Sequence, residues 1–110
     1  MTIVTVYAVF SNEEEAQTIG RTVVEERLAA CVNSLGKIRS IYRWQGRIAE
    51  TAECAAFFKT TSAAADRLIA RIAELHSYEV PCIETWPVDK LWSGYADWVE
   101  ENVPDIPQIS

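Results

Sequence analysis

The chain has 110 residues, 49% hydrophobic and 24% charged, the size and composition of one globular domain, which excludes a disordered, collagen-like or disulfide-dense chain. Ten basic against sixteen acidic side chains give a net charge of −6, which repels a phosphate backbone and argues against nucleic acid as a partner. No apolar run approaches the roughly 20 residues that cross a bilayer, the start lacks a basic flank and cleavage site, and Cys31, Cys54 and Cys82 form no CxxC pair, so a cytoplasmic protein with reduced thiols and no membrane partner is expected.

Ile3 to Phe10 is β-branched and almost continuously apolar, the pattern of a strand buried on both faces. Ser11 and Glu14 have capping-box spacing and open a helix whose stripe, Ala16, Ile19, Val23 and Leu28, runs to about Leu28. Ala29 to Ser34 reads as a second strand, bent where Gly36 interrupts it. From Ile38 to Trp44 bulky residues alternate, with Ile38, Tyr42 and Trp44 on one face and Arg39, Ile41 and Arg43 on the other. Gln45-Gly46 is the turn. Gln is a poor first residue for a type I′ turn, so a bulged hairpin with a left-handed Gly46 is expected, and Arg47 to Lys59 returns antiparallel.

Thr60-Thr61-Ser62 supplies capping hydroxyls for a second helix with the stripe Ala65, Leu68, Ile69, Ile72 and Leu75, ended by His76-Ser77. Cys82 to Trp86, fenced by Pro81 and Pro87, is a short strand. Leu91, Tyr95, Trp98 and Val99 mark a last short helix. A single domain over residues 1–103 and a polar tail over 104–110 are expected.

The order is βαββαβ with an extra C-terminal helix, an α+β, ferredoxin-like sandwich with an antiparallel sheet and a long β2–β3 hairpin. Right-handed crossovers put both long helices on one sheet face. The hairpin strands exceed the usual five or six residues, and two helices cannot cover such a ribbon. An apolar ribbon bearing Ile41, Tyr42, Trp44 and Ile48 invites pairing with identical chains, so a closed homo-oligomer is expected.

Five segments carry a family resemblance: Glu25-Glu26-Arg27-Leu28-Ala29-Ala30-Cys31-Val32-Asn33, Ser40-Ile41-Tyr42-Arg43-Trp44-Gln45-Gly46-Arg47-Ile48, Lys59-Thr60-Thr61, His76-Ser77-Tyr78-Glu79-Val80-Pro81 and Trp86-Pro87-Val88. Together they resemble the CutA divalent-cation tolerance family over roughly residues 3 to 102. The resemblance implies a homotrimer joined through the long hairpins and a role in binding, or responding to, divalent metals such as copper. It implies no enzymatic reaction. Its similarity to the PII signalling architecture leaves a second reading, a regulatory or scaffold trimer that binds a small molecule or protein at intersubunit clefts.

His76, the only histidine, matches the family's histidine and can ligate copper or zinc. It can equally cap the second helix through the helix dipole. The resemblance pairs it with a second histidine and a first-strand cysteine, where this chain has Leu75 and Ala8. The three cysteines, each in an expected strand, read as packing groups. Lys59 and Glu79 match family positions and, with Tyr42 and Trp44, read either as an intersubunit polar pocket or as an ion pair with aromatic packing at the interface. Catalysis by Cys31 with His76 has no local signature, and the third strand lacks the basic-glycine-aromatic pattern of RNA-binding sheets.

Overall fold

A computed structural model describes residues 2–105. The elements are β1 (Ile3–Phe10), α1 (Glu13–Glu25), β2 (Cys31–Trp44), β3 (Arg47–Thr61), α2 (Ser62–Leu75), β4 (Ile83–Pro87) and α3 (Ser93–Asn102). The strands form one antiparallel sheet in the order β2-β3-β1-β4. This is the expected α+β sandwich. Of the expected polar tail, residues 106–110 lie outside the described residues.

The core follows from strand alternation. Val6, Ala8 and Phe10 pair with Phe58, Ala56 and Cys54, and these six form one buried cluster with Ala16, Ile19 and Val23 of α1 and Leu68 and Ile72 of α2. Both long helices therefore pack on one face. The second face carries Tyr7, Phe57 and Trp86, with Tyr7 stacked on Trp86 at 4.9 Å between ring centres. Val99 of α3 and its C-cap Val103 pack against Ile3, Ala30 and Ala64, leaving that aromatic cluster uncovered.

Helix ends depart from expectation by a few residues, each for a local reason. The α1 cap is Asn12, whose Oδ1 accepts from Glu15 N at 2.8 Å, while Glu15 Oε1 accepts from Ser11 N and Oγ. Phe10 still pairs with Cys54, so Ser11 is needed to leave the sheet and the cap falls one residue later. α1 stops at Glu25 rather than near Leu28. Arg27 takes φ 61°, and the amides of Arg27 and Leu28 return to the carbonyls of Val24 and Val23, a Schellman closure whose left-handed position glycine usually holds. Leu28 still packs on the core after the turn. Thr61 caps α2 as expected, accepting from Ala64 N at 3.2 Å.

The β2–β3 ladder holds two further features. Ser34 pairs with Ala56 and Gly36 with Ala55, so Leu35 is an extra residue in β2. Gly36 has φ 80° at this bulge. The far turn differs from expectation: Trp44 pairs directly with Arg47, and Gln45 and Gly46 both have positive φ, 50° and 79°. Positive φ at both central residues is the requirement of a two-residue type I′ turn, whose twist matches the flanking strands. That match outweighs the poor local preference of Gln45. β4 spans Ile83–Pro87, one residue later than expected. Pro87 is tolerated because β4 is an edge strand.

These two turns give opposite stability outcomes. A Cβ at Gly36 meets no atom within 4 Å, so Gly36→Ala is expected to cost only its left-handed backbone penalty, about 1–2 kcal/mol. Gln45→Asn, which suits a type I′ position, is expected to gain about 0.5 kcal/mol. Urea midpoints of the two variants check both signs.

Candidate functional site

On the second sheet face lies a cleft of about 660 Å³. Its floor is Tyr7 and Val9 of β1 with Glu53 of β3; one side is Ile38, Tyr42 and Trp44 of β2, and the other is the loop Tyr78, Glu79 and Val80 with Cys82. The bulge at Leu35 explains the meeting of β1 and β2 groups. Before it, Cys31 and Asn33 pair with Lys59 and Phe57 on this face; after it, Gly36 pairs with Ala55 and Ile38 with Glu53. One added residue exchanges odd and even positions.

Glu53 is only 7% exposed and accepts from the Tyr78 hydroxyl at 2.6 Å. Burial, then this bond, push the Tyr78 hydroxyl well above the ordinary phenol range. Tyr7 is also raised, by burial and then by the negative charge of Cys82, Glu84 and Glu53. The Cys82 thiol is raised by burial, by Glu84 and by Glu53, which disfavours the thiolate a nucleophile needs. All three groups titrate upward. The cleft has a negative field, and its walls are aromatic and aliphatic.

The loop wall is held by a short hydrogen-bond chain. His76, 9% exposed, donates from Nε2 to Val9 O at 2.8 Å and accepts at Nδ1 from Tyr78 N at 3.0 Å. Its ring stacks on Phe10 with centres 5.1 Å apart. His76 stands at the C-cap of α2, as expected, its backbone amide donating to Ala73 O, while its imidazole ties β1 to the loop. Glu15 Oε2 accepts from Ser77 N at 2.9 Å, so the carboxylate that caps α1 also anchors the loop.

Of the residues expected to form a pocket, Tyr42, Trp44 and Glu79 share this cleft. Lys59 lies outside its lining. Lys59 Nζ donates to Thr5 Oγ1 at 2.9 Å and sits 5.8 Å from the Phe57 ring centre. Cys54 is buried, with Sγ 3.3 Å from Ser34 Oγ, and Cys31 Sγ lies 3.4 Å from the Tyr95 hydroxyl. Cys82 is exposed and precedes β4, so it is not the strand packing group expected. Sequence reasoning missed Glu53, Tyr78 and Tyr7. The available signal for Glu53 was a lone carboxylate directly before the small and apolar run Cys54 to Phe58.

Comparison with known proteins bears on this geometry. Residues 4–102 match the family described as CutA1 divalent ion tolerance protein. The chain belongs to the CutA1 family. It is 43% identical over 101 residues to a divalent-cation tolerance protein CutA of Thermotoga maritima, covering 92% of this chain and 99% of that one. A solved CutA1 structure from Thermus thermophilus superposes with a TM-score of 0.88 at 42% identity, covering 93% and 99% of the two chains. One from Oryza sativa reaches 0.93 at 27% identity, covering 96% and 97%. The family match spans every sheet residue after Ile3 and every cleft residue.

The CutA1 family's tolerance role raises a resident metal as a question for the side chains present. Both ring nitrogens of His76 are engaged with backbone groups. Among the described residues, no three His, Cys, Asp or Glu side chains form a group that holds a metal ion. Within one chain the side chains therefore do not fit a preformed metal centre.

Glu15 gives the site a pH signature. Burial raises its carboxyl, but hydrogen bonds from Ser11 and Ser77 outweigh burial and hold it below the ordinary carboxylate range. A depressed carboxylate stabilises the fold above its unfolded pKa, about 4.3, and that stabilisation is lost as pH falls through the folded value. Glu15→Gln is expected to lower the thermal midpoint at pH 7, with the difference from wild type shrinking as pH falls below the unfolded value and vanishing once it has passed the depressed folded one. Melting curves across pH 3–8 check it.

Proposed function

We propose that this chain acts in divalent-cation tolerance as a homotrimeric binding protein, without catalysis, and that the cleft beside the hairpin is its ligand site. The cleft is the observation that carries the reading: about 660 Å³ is the size of small-molecule sites, and its aromatic walls with a few placed polar groups are their usual chemistry. The pocket expected from Tyr42, Trp44 and Glu79 is supported by their common place in its lining. Assembly is supported by the hairpin, where Ile41 and Ile48 are 66% and 62% exposed, and by the uncovered cluster of Tyr7, Phe57 and Trp86. Apolar surface of this extent is stable in water when identical chains cover it. A cytoplasmic address is part of the reading, motivated by the three free cysteines Cys31, Cys54 and Cys82. The related protein of Archaeoglobus fulgidus is described as periplasmic, so fractionation of cells is the check on that point.

Light scattering at micromolar concentration is expected to give three times the chain mass. Ile41→Asp combined with Ile48→Asp places charge on the exposed hairpin and is expected to yield monomer. A monomeric wild type removes the assembly reading.

The second reading is direct binding of a divalent ion such as copper. It is favoured by Cys82, whose sulfur is 3.8 Å from Glu84 Oε1 and borders the same cleft as Glu53 and Glu79. His76 joins such a site only by releasing the Tyr78 amide from Nδ1. A calorimetric copper titration separates the readings. Saturable binding weakened at least tenfold by Cys82→Ser or His76→Ala supports a direct site, and an absence of saturable heat at micromolar ion removes it.

A further inference from the structure

We propose that the cleft selects a small organic cation, an ammonium group carried on an apolar body. This rests on the cleft being a ligand site, and it names the chemistry of what enters. Glu53 is more than nine-tenths buried and borders the cleft. Its one hydrogen bond among the described residues, from Tyr78, uses Oε2, whereas an ionised carboxylate offers about four acceptor positions. A buried carboxylate is costly unless paired or fully hydrogen-bonded. A donor cation supplies what the protein leaves open.

The rest of the lining agrees in sign and shape. Glu79 adds a second carboxylate, and no Lys or Arg lines the cleft. Lys59 lies six residues beyond Glu53 along β3, outside the cleft, where its Nζ donates to Thr5 Oγ1. Tyr7, Tyr42, Trp44 and Tyr78 supply four aromatic rings, and aromatic faces attract an ammonium group, more strongly as the site is desolvated. An anionic ligand meets the opposite field and no basic partner among the chain's own lining residues. A bare metal ion meets too few ligands, because most of the wall is carbon.

The experiment is calorimetry on the assembled protein at pH 7.5 with three probes of one shape: phenethylammonium, 2-phenylethanol and 3-phenylpropionate. Phenethylammonium is expected to bind at least tenfold more tightly than either other probe, and raising salt tenfold is expected to weaken it several-fold. Glu53→Gln is expected to cost at least tenfold for the ammonium while leaving the alcohol unchanged. Trp44→Leu, at a half-exposed hairpin position, is expected to reduce the ammonium preference with the assembled mass intact, which keeps the test independent of whether Glu53→Gln folds. Equal binding of the alcohol, tighter binding of the carboxylate, or indifference to both variants overturns cation selectivity while the cleft stands. No saturation by any probe on intact assembled protein overturns the cleft itself.

Discussion

Side chains alternate across a strand, so one unpaired residue exchanges the two faces for everything beyond it. In β2 that residue is Leu35, placed between the Ser34–Ala56 and Gly36–Ala55 pairs. Without the bulge, Ile38, Tyr42 and Trp44 fall on the helix side of the sheet, where α1 and α2 already fill the core. With it, they fall beside Tyr7 and Glu53. The helix-packed core and the open cleft are thus successive uses of one strand, divided by a bulge that requires the left-handed backbone of Gly36.

The opposite wall depends on a different economy of bonds. A loop running from His76 to Val80 has no strand neighbour to satisfy its amides, and buried or half-buried amides need partners. Glu15 accepts Ser77 N and His76 accepts Tyr78 N. The same Glu15 accepts Ser11 N and Oγ, and the same His76 donates to Val9 O. Two side chains therefore couple the start of α1, the end of β1 and the cleft wall. This explains why a histidine in a family named for metal tolerance is occupied by backbone: its position is structural within a single chain.

Element order, helix stripes and the long hairpin were legible in the sequence because each is a local period. The bulge was half legible: Gly36 marked a bend, but not the face exchange that brings Tyr42 to Tyr7, since that requires the register with β3. The type I′ turn was misjudged at Gln45 because local preference was weighed without the twist of two strands more than ten residues long. Ser11 was assigned the cap that Asn12 holds because nothing local reveals that Phe10 is still paired. At the site, Tyr42, Trp44 and Glu79 were readable as exposed or matched groups. Glu53 and Tyr78 were not, for their significance lies in a hydrogen bond across 25 residues. Lys59 had the right charge for a carboxylate pocket, but it stands six residues along β3 from Glu53 and its side chain ends on Thr5.

The cleft and the surface that favours assembly are continuous. Ile41, Tyr42 and Trp44 line the cleft, and Ile41 and its near neighbour Ile48 are exposed on the same two strands. Covering the hairpin with a neighbouring chain removes water from around Glu53, and lower polarity strengthens both the cost of leaving it unpaired and the attraction for a cation. In the proposed trimer, ligand and neighbour therefore act on one carboxylate. A cation bound there lowers the cost of burying Glu53, so occupancy and assembly favour each other. By reciprocity, a ligand that tightens the trimer is bound more tightly by it, which gives the assembly a means of reporting what it holds.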